Sequence, residues 1–228
     1  MWAAELAASM ARIGQVQAHL PAPVSVLIAI VAMSAAVTQG LWLVTRHVTV
    51  MAHEGAHATM ASAVGRKIEG IEFHLNANGV THHSGSSDAL GLFAVTFVGY
   101  LGPSLFGIGA AELIRAGHIV AVLWLGLAGL VAIMVSLRKS FGIVTVILAF
   151  VLLFLIAGFA SVSAQVITAY VVAWFLLVSG IQGIRVRRSG SGDSASLRGM
   201  TKIPHGFWYR VWLLCSAGAL IFGATLLV

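Results

Sequence analysis

Charged residues are scarce in this sequence of 228 residues, making up 9% of the chain against 59% hydrophobic residues. A soluble globular domain usually has about a quarter of its residues charged, so this chain has too few polar groups to cover a surface in water. Cysteine is equally scarce: Cys215 is the only one, which excludes a disulfide within the chain. These shortages exclude the soluble and the disulfide-stapled classes of protein.

Long apolar runs recur from end to end, and each has about the 20 residues that a helix needs to cross a bilayer. We therefore predict an all-α membrane protein, a single integral membrane domain over residues 1–228, with the lipid bilayer as its surroundings. Residues 1–22 lack a clean signal peptide, because Glu5 interrupts the early apolar run, and we interpret them as a short interfacial segment. The pattern predicts a bundle of about seven transmembrane helices. The predicted spans are residues 23–39, 41–64, 89–114, 118–137, 141–160, 163–184 and 207–227.

The net charge of +6 fits a membrane protein whose Lys and Arg residues collect on the cytoplasmic side, so we expect no nucleic-acid partner. Seven spans group the N-terminal segment with the 65–88 loop, the 138–140 turn and the 185–206 loop. Eleven cationic residues fall on that side: Arg12, Arg66, Lys67, Arg138, Lys139, Arg185, Arg187, Arg188, Arg198, Lys202 and Arg210. The other side holds Arg115. This bias predicts a multi-pass protein of the cell membrane, with the N-terminus in the cytoplasm and the C-terminus outside.

The two long polar loops differ in pattern. In the 65–88 loop, Ile71, Phe73 and Leu75 alternate with polar residues, which is the period of a strand. Asn78-Gly79 follows and favours a tight hairpin turn, so we predict a small β-hairpin at the cytoplasmic membrane face. The 185–206 loop is rich in Gly, Ser and Arg, a composition typical of a flexible basic linker.

The second predicted span contains His53-Glu54-Gly55-Ala56-His57, an H-E-x-x-H motif. Residues i and i+4 of a helix lie on one face, so His53 and His57 can bind one Zn²⁺ ion, and Glu54 beside them can act as a general base. Zinc lowers the pKa of a coordinated water to about 7. Ionisable groups within a span usually mark function, although a cluster of hydrogen-bonded polar residues between helices would give the same residues.

Catalytic zinc usually has three protein ligands, and the spacing of the remaining residues does not choose the third. Asp88, Asp193, His82 and His83 all fall on the predicted cytoplasmic side. Asp193 has a simpler alternative role, because Asp is a common N-cap of helices.

The motifs together resemble the site-2 protease class of intramembrane metalloproteases, in particular a compact bacterial, actinobacterial-type peptidase-like branch. The H-E-x-x-H helix leads into a hairpin with Gly79-Val80-Thr81. A Gly-Pro signature follows at Gly99-Tyr100-Leu101-Gly102-Pro103. The third stretch begins at Asp193 and continues to Thr201, Pro204 and Trp208.

This resemblance implies a helical membrane core that holds zinc and cleaves a transmembrane protein substrate. It carries the metal ligands over to His53 and His57 and the general base to Glu54. Site-2 proteases generally take the third ligand from a Leu-Asp-Gly motif, which this chain lacks. Asp193 is the aspartate that the branch pattern retains, and the resemblance assigns the third ligand to it, with Asp88, His82 and His83 as alternatives.

Two other functions compete with the protease. One is a metal-binding regulatory membrane protein without proteolytic activity. The other is a small transporter that uses Arg46, His47 and the zinc-site residues as a polar pathway. Against it, the sequence has no repeated half and few polar residues in the other spans.

Overall fold

The structure, a computed structural model, describes residues 2–74, 78–85, 88–138, 140–186 and 192–228. Within these residues the chain forms ten α-helices and one two-stranded antiparallel sheet. The helices are α1 Trp2–Ala11, α2 Ala22–Val37, α3 Gln39–Ala63, α4 Ala89–Val98, α5 Gly102–Arg115, α6 Ile119–Ser136, α7 Ser140–Phe159, α8 Val162–Val186, α9 Asp193–Thr201 and α10 His205–Leu227. The strands are β1 Lys67–Phe73 and β2 Gly79–Ser84.

Five helical segments of the described chain are long and apolar enough to cross a membrane. They are α4 with α5, α6, α7, α8 and α10. A sixth crossing results if α2 and α3, which meet at an angle of 97°, are counted as one bent span. The predicted count of seven is therefore not confirmed. The reason is the length of α2: its 16 residues extend about 24 Å, less than the roughly 30 Å of a hydrocarbon core.

The N-terminal segment lies at the end of the bundle opposite the hairpin. The backbone amide of Gln17 donates to the Gly117 carbonyl before α6, over 2.9 Å. At the other end of α6, the amide of Arg138 donates to the Ile71 carbonyl of β1, over 3.0 Å. The N-terminal segment and the hairpin, which the sequence grouped on one side, therefore lie at different ends of α6. The side of the membrane that each of them faces stays a prediction.

The predicted β-hairpin is confirmed, and the burial of Ile71 and Phe73 explains the alternation of residues in β1. The predicted turn is wrong in detail. Phe73 pairs with Gly79 and the His74 amide donates to the Asn78 carbonyl, so Gly79 is the first residue of β2 and the connection is longer than two residues. Leu75, which the alternation placed in the first strand, lies outside the described residues.

The 185–206 loop is more ordered than its composition predicted. The helix α8 continues to Val186, and the helix α9 follows after a gap in the described chain. Leu197 of α9 is fully buried against Trp208 and Trp212 of α10 in an aromatic cluster. This packing holds α9 against the bundle, so the segment is not a simple linker. The predicted cytoplasmic residues Lys139, Arg187 and Arg188 lie outside the described residues.

The central helix of the bundle is α8, which packs against α2, α5, α6 and α10. In its most apolar window 61% of the residues are buried, against 22% for α7. The helix α7 turns an apolar face outward, as expected where the neighbour is lipid.

The span formed by α4 and α5 is broken at its centre by a 3-10 turn, Gly99–Leu101. Pro103 in the first turn of α5 has no amide hydrogen to continue the helix of α4. Immediately before the break, the Phe97 carbonyl accepts a hydrogen bond of 2.9 Å from Nε1 of Trp212. The broken segment lies directly against α3 and forms one wall of the site.

Candidate metal centre and active site

The residues His53, Glu54 and His57 lie in the second half of α3 and are all buried. Because His53 and His57 are four residues apart, their rings project from the same face. Their Nε2 atoms are 3.1 Å apart. The sequence motif therefore places two imidazole nitrogens at one point inside the bundle.

Asp193, the first residue of α9, brings a carboxylate to the same point. Its Oδ2 atom lies 3.1 Å from Nε2 of His53 and 3.3 Å from Nε2 of His57. Within the described part of the chain, these three residues form the one group of His, Cys, Asp or Glu side chains that could hold a metal ion. Asp193 is more than 130 residues away in sequence, and the packing of α9 on α10 brings it here.

The charge of Asp193 suits a ligand. Burial by itself would raise the pKa of the Asp193 carboxyl, but hydrogen bonds and positive charge from His53 and His57 lower that pKa below its ordinary value. The carboxyl is therefore ionised at neutral pH, as a metal ligand must be.

The orientation of His57 is fixed from the other side of its ring. Nδ1 of His57 lies 2.7 Å from the Val95 carbonyl, which can only accept, so Nδ1 carries the hydrogen. When the ring is neutral, as a histidine that binds a metal must be, the lone pair of Nε2 faces the site. A backbone carbonyl that orients a histidine in this way is common around bound metals.

The space at the centre is kept open by Gly99. A Cβ atom at position 99 would overlap Nε2 of His57 and lie 2.9 Å from Cε1 of His53. The donor set also fits zinc, because tetrahedral ligands with bonds of 2.0–2.1 Å lie about 3.3 Å apart. The three measured separations, 3.1 to 3.3 Å, match this value. The residues present therefore fit a Zn²⁺ ion.

Aromatic rings surround the centre on the side of α10. The Tyr100 ring lies edge-on to His53 with a centroid distance of 4.8 Å, and Trp212 packs on Tyr100 at 4.4 Å. These rings limit the access of water, and a drier site strengthens electrostatic interactions.

The other candidate ligands from the sequence are engaged elsewhere. Asp88 caps α4, accepting hydrogen bonds from the amides of Leu90 and Gly91. His82 pairs with Glu72 over 3.7 Å, and Nδ1 of His83 accepts a hydrogen bond of 2.9 Å from Arg66. Burial and the charge of Arg66 lower the pKa of His83. The structure brings Asp193 to the two histidines and leaves Asp88, His82 and His83 in these other contacts.

Glu54 is 2% exposed and turns toward the hairpin. Oγ1 of Thr81 in β2 donates a hydrogen bond of 2.7 Å to Oε2 of Glu54. Sequence reasoning did not single out Thr81, Gly99 or the Val95 carbonyl as parts of the site. Gly99 and Thr81 do belong to the stretches that resemble the family, and this resemblance was the only feature of the sequence that pointed to them.

These features define a class: a helical membrane protein that holds two histidines, a carboxylate and a neighbouring glutamate in its interior, as metallopeptidases do. The family model described as Peptidase M50B-like matches residues 25–223, and the chain belongs to this family. The predicted resemblance to the site-2 proteases is thereby confirmed. Neither the curated proteins nor the solved structures contain a match to the chain.

Proposed function

We propose that this protein is a zinc-dependent intramembrane peptidase that hydrolyses peptide bonds of transmembrane substrates. The observation that carries the proposal is the convergence of His53, His57 and Asp193 within 3.3 Å of one another, with Glu54 next in sequence to the first ligand. Membership of a peptidase family supports the reaction class.

In this proposal His53 and His57 would hold zinc through Nε2, and Asp193 would hold it through a carboxylate oxygen. Zinc, when bound, supplies a Lewis acid that polarises a carbonyl and makes a coordinated water more acidic. Three protein ligands are the number that catalytic zinc sites usually have.

Glu54 is the proposed general base. Its carboxylate accepts a proton from the attacking water and afterwards gives that proton to the leaving amine. The aromatic rings of Tyr100 and Trp212 cover the α10 side of His53. Because Gly99 has no side chain, the space beside Nε2 of His57 stays free for the reacting groups.

The substrate must reach the site as an extended segment, because a helix keeps its peptide bonds hydrogen-bonded. The hairpin offers a template for such a segment. The outer edge of β1 is covered, because Ile71 forms an isolated β-bridge with Leu137. The Ile71 carbonyl also accepts a hydrogen bond from the amide of Arg138. The second strand, β2, contacts Glu54 of α3 through the hydroxyl of Thr81. We propose that an unwound segment of a transmembrane protein substrate pairs with β2.

The distribution of charge supports an orientation. At the hairpin end of the bundle the described cations are Arg66, Lys67, Arg138, Arg185, Arg198, Lys202 and Arg210, and at the opposite end they are Arg12 and Arg115. By the positive-inside rule, the hairpin and the site face the cytoplasm of a cell membrane. In this proposed orientation, the N-terminal segment and the C-terminal end of α10 lie on the outer side.

The test is the zinc content of the full-length protein, purified in detergent without chelators. We expect about one zinc per chain, as a single three-ligand site requires, and loss of that zinc in His53→Ala and Asp193→Ala. The matched control is Asp88→Ala, which removes a helix cap and should keep the zinc. Zinc-free wild-type protein would overturn the proposal.

Cleavage is tested with zinc-loaded protein and a labelled single-span peptide that carries a helix-destabilising Asn-Gly pair. We expect Glu54→Gln to retain zinc and to lose cleavage. If the zinc-loaded wild type does not cleave, the protein is a metal-binding membrane protein without proteolytic activity. If both zinc and cleavage are absent, the transporter alternative takes its place.

A further inference from the structure

The hydroxyl of Thr81 contacts the buried Glu54 at two points. Oγ1 of Thr81 lies 2.7 Å from Oε2 of the Glu54 carboxylate and 3.2 Å from the Glu54 carbonyl oxygen. A buried carboxylate needs hydrogen-bond partners, and the shorter contact supplies one. The hairpin is thus joined to the catalytic helix through this pair of side chains.

Gly79, two residues before Thr81, faces the same carboxylate. Alternate residues of a strand point to one face, so positions 79 and 81 both turn toward α3. A Cβ atom at position 79 would lie 2.5 Å from both Cγ and Oε1 of Glu54. Because glycine has no side chain, this volume is free for the side chain of Glu54.

We propose that β2 sets the position of the general base: Thr81 is a positioning residue that holds the Glu54 carboxylate by its hydroxyl, and Gly79 provides the space for it. This inference rests on the proposed peptidase function. A glutamate side chain has several rotatable bonds, and fixing them has an entropic cost. A general base must lie within hydrogen-bonding reach of the proton it takes, so a contact that fixes the carboxylate beforehand raises the rate.

The first test compares Thr81→Val, which removes the hydroxyl and keeps the shape, with Thr81→Ser, which keeps the hydroxyl. We expect Thr81→Val to bind zinc normally and to lower kcat by about 10- to 100-fold with little change in KM, because a small misplacement of a reacting group costs that much. Thr81→Ser should stay close to the wild type. The matched control is Thr59→Val, because the Thr59 hydroxyl bonds to the Gly55 carbonyl on the outer face of α3.

A second measurement needs neither zinc nor activity. We expect Thr81→Val to lower the Tm of the zinc-free protein by about 4 °C or more, because it removes this hydrogen bond from the buried Glu54 carboxyl. In a Glu54→Ala background the same substitution should have a much smaller effect. That difference between the two backgrounds measures the contact between the two side chains.

Gly79→Ala tests the space around the carboxylate. The backbone at Gly79 lies outside the left-handed region, so alanine is compatible with it and the expected effect comes from its methyl group. We expect reduced kcat with normal zinc content, and a loss of Tm that disappears in the Glu54→Ala background.

The outcomes separate this inference from the function on which it rests. A wild type without zinc or cleavage overturns the peptidase and the positioning role together. A normal wild type with fully active Thr81→Val and an unchanged Tm overturns the positioning role alone. So does a Thr81→Ser variant as impaired as Thr81→Val, because the effect would then not depend on the hydroxyl, and so does a Thr81→Val variant more active than the wild type.

Discussion

Gly99 lies directly against His57, so close that a side chain at position 99 would occupy the place of the imidazole Nε2 atom. The contact joins the 3-10 turn between α4 and α5 to α3. Val95, one turn earlier, holds the other nitrogen of the same ring over 2.7 Å. One short segment of the broken span therefore has two roles. It orients the His57 ring, and it keeps the space beside Nε2 of that ring free.

Gly99→Ala should weaken zinc binding without unfolding the protein. The Gly99 backbone has helical angles that alanine adopts easily, but the methyl group must displace His57. Because changes that disturb ligand orientation cost about 10- to 100-fold in metal affinity, we expect at least that loss in a competitive zinc titration. The control is Gly109→Ala in α5, where an added Cβ meets no described atom within 4 Å. Equal zinc affinity in both variants would contradict the role of Gly99.

The local parts of this site are predictable from sequence because they follow from helical and strand periods. The four-residue spacing of His53 and His57 places both rings on one face, and the alternation around Ile71 indicates β1. Asp193 is different, since its side chain reaches the histidines only because α9 packs on α10. Resemblance to a family pointed to it, and spacing did not.

The path of the chain through the bilayer was less predictable. The hydropathy of residues 23–64 measures how much apolar chain there is, and not whether it bends. Residues 23–64 were predicted to form two spans, but the chain bends by 97° between α2 and α3, and hydropathy does not report that bend. The contacts of Gly99 and Thr81 with α3 were out of reach for a similar reason, because they depend on how separate elements pack.

Asp193→Asn should lower zinc affinity by roughly 100-fold or more, because loss of a direct ligand exceeds the loss of an orienting partner. Asp88→Asn is the matched control, since asparagine also caps helices and should leave zinc binding unchanged. Zinc titration of both variants measures the difference. If Asp88→Asn loses zinc and Asp193→Asn keeps it, the third ligand lies beside the hairpin and not on α9.

Asp193→Asn also has a pH signature in the zinc-free protein, seen by comparison with the wild type. The pKa of Asp193 is lowered in the folded state, so its charge contributes stability that is present above the ordinary value of about 3.9 and is lost as the pH falls toward the lowered one. We expect the wild type to have a higher Tm than Asp193→Asn at pH 6, and we expect this difference in Tm to shrink below about pH 4. A gap that is constant with pH would show that the charge has no part in it.

Trp212→Phe should destabilise the broken span. Trp212 is fully buried, and its Nε1 atom donates to the Phe97 carbonyl. The control is Trp208→Phe in the same aromatic cluster, because Nε1 of Trp208 has no hydrogen-bond acceptor among the described residues. Both substitutions remove ring volume, and one also removes a hydrogen bond of about 1 kcal/mol. We expect Trp212→Phe to lower the Tm by about 2–4 °C more than Trp208→Phe, and equal shifts would contradict the importance of this bond.

The bend between α2 and α3 makes a prediction about topology that separates six crossings from seven. In a Cys215→Ser background, Gly14→Cys and Lys67→Cys place single thiols on exposed positions at opposite ends of the bundle. With six crossings and a cytoplasmic hairpin, a membrane-impermeant maleimide should label position 14 in intact cells and position 67 only after permeabilisation. Seven separate spans would put both positions on the same side. Protection of both thiols in intact cells, with labelling of both after permeabilisation, would therefore restore two crossings for residues 22–63 and contradict the arrangement that the contact between Gln17 and Gly117 requires.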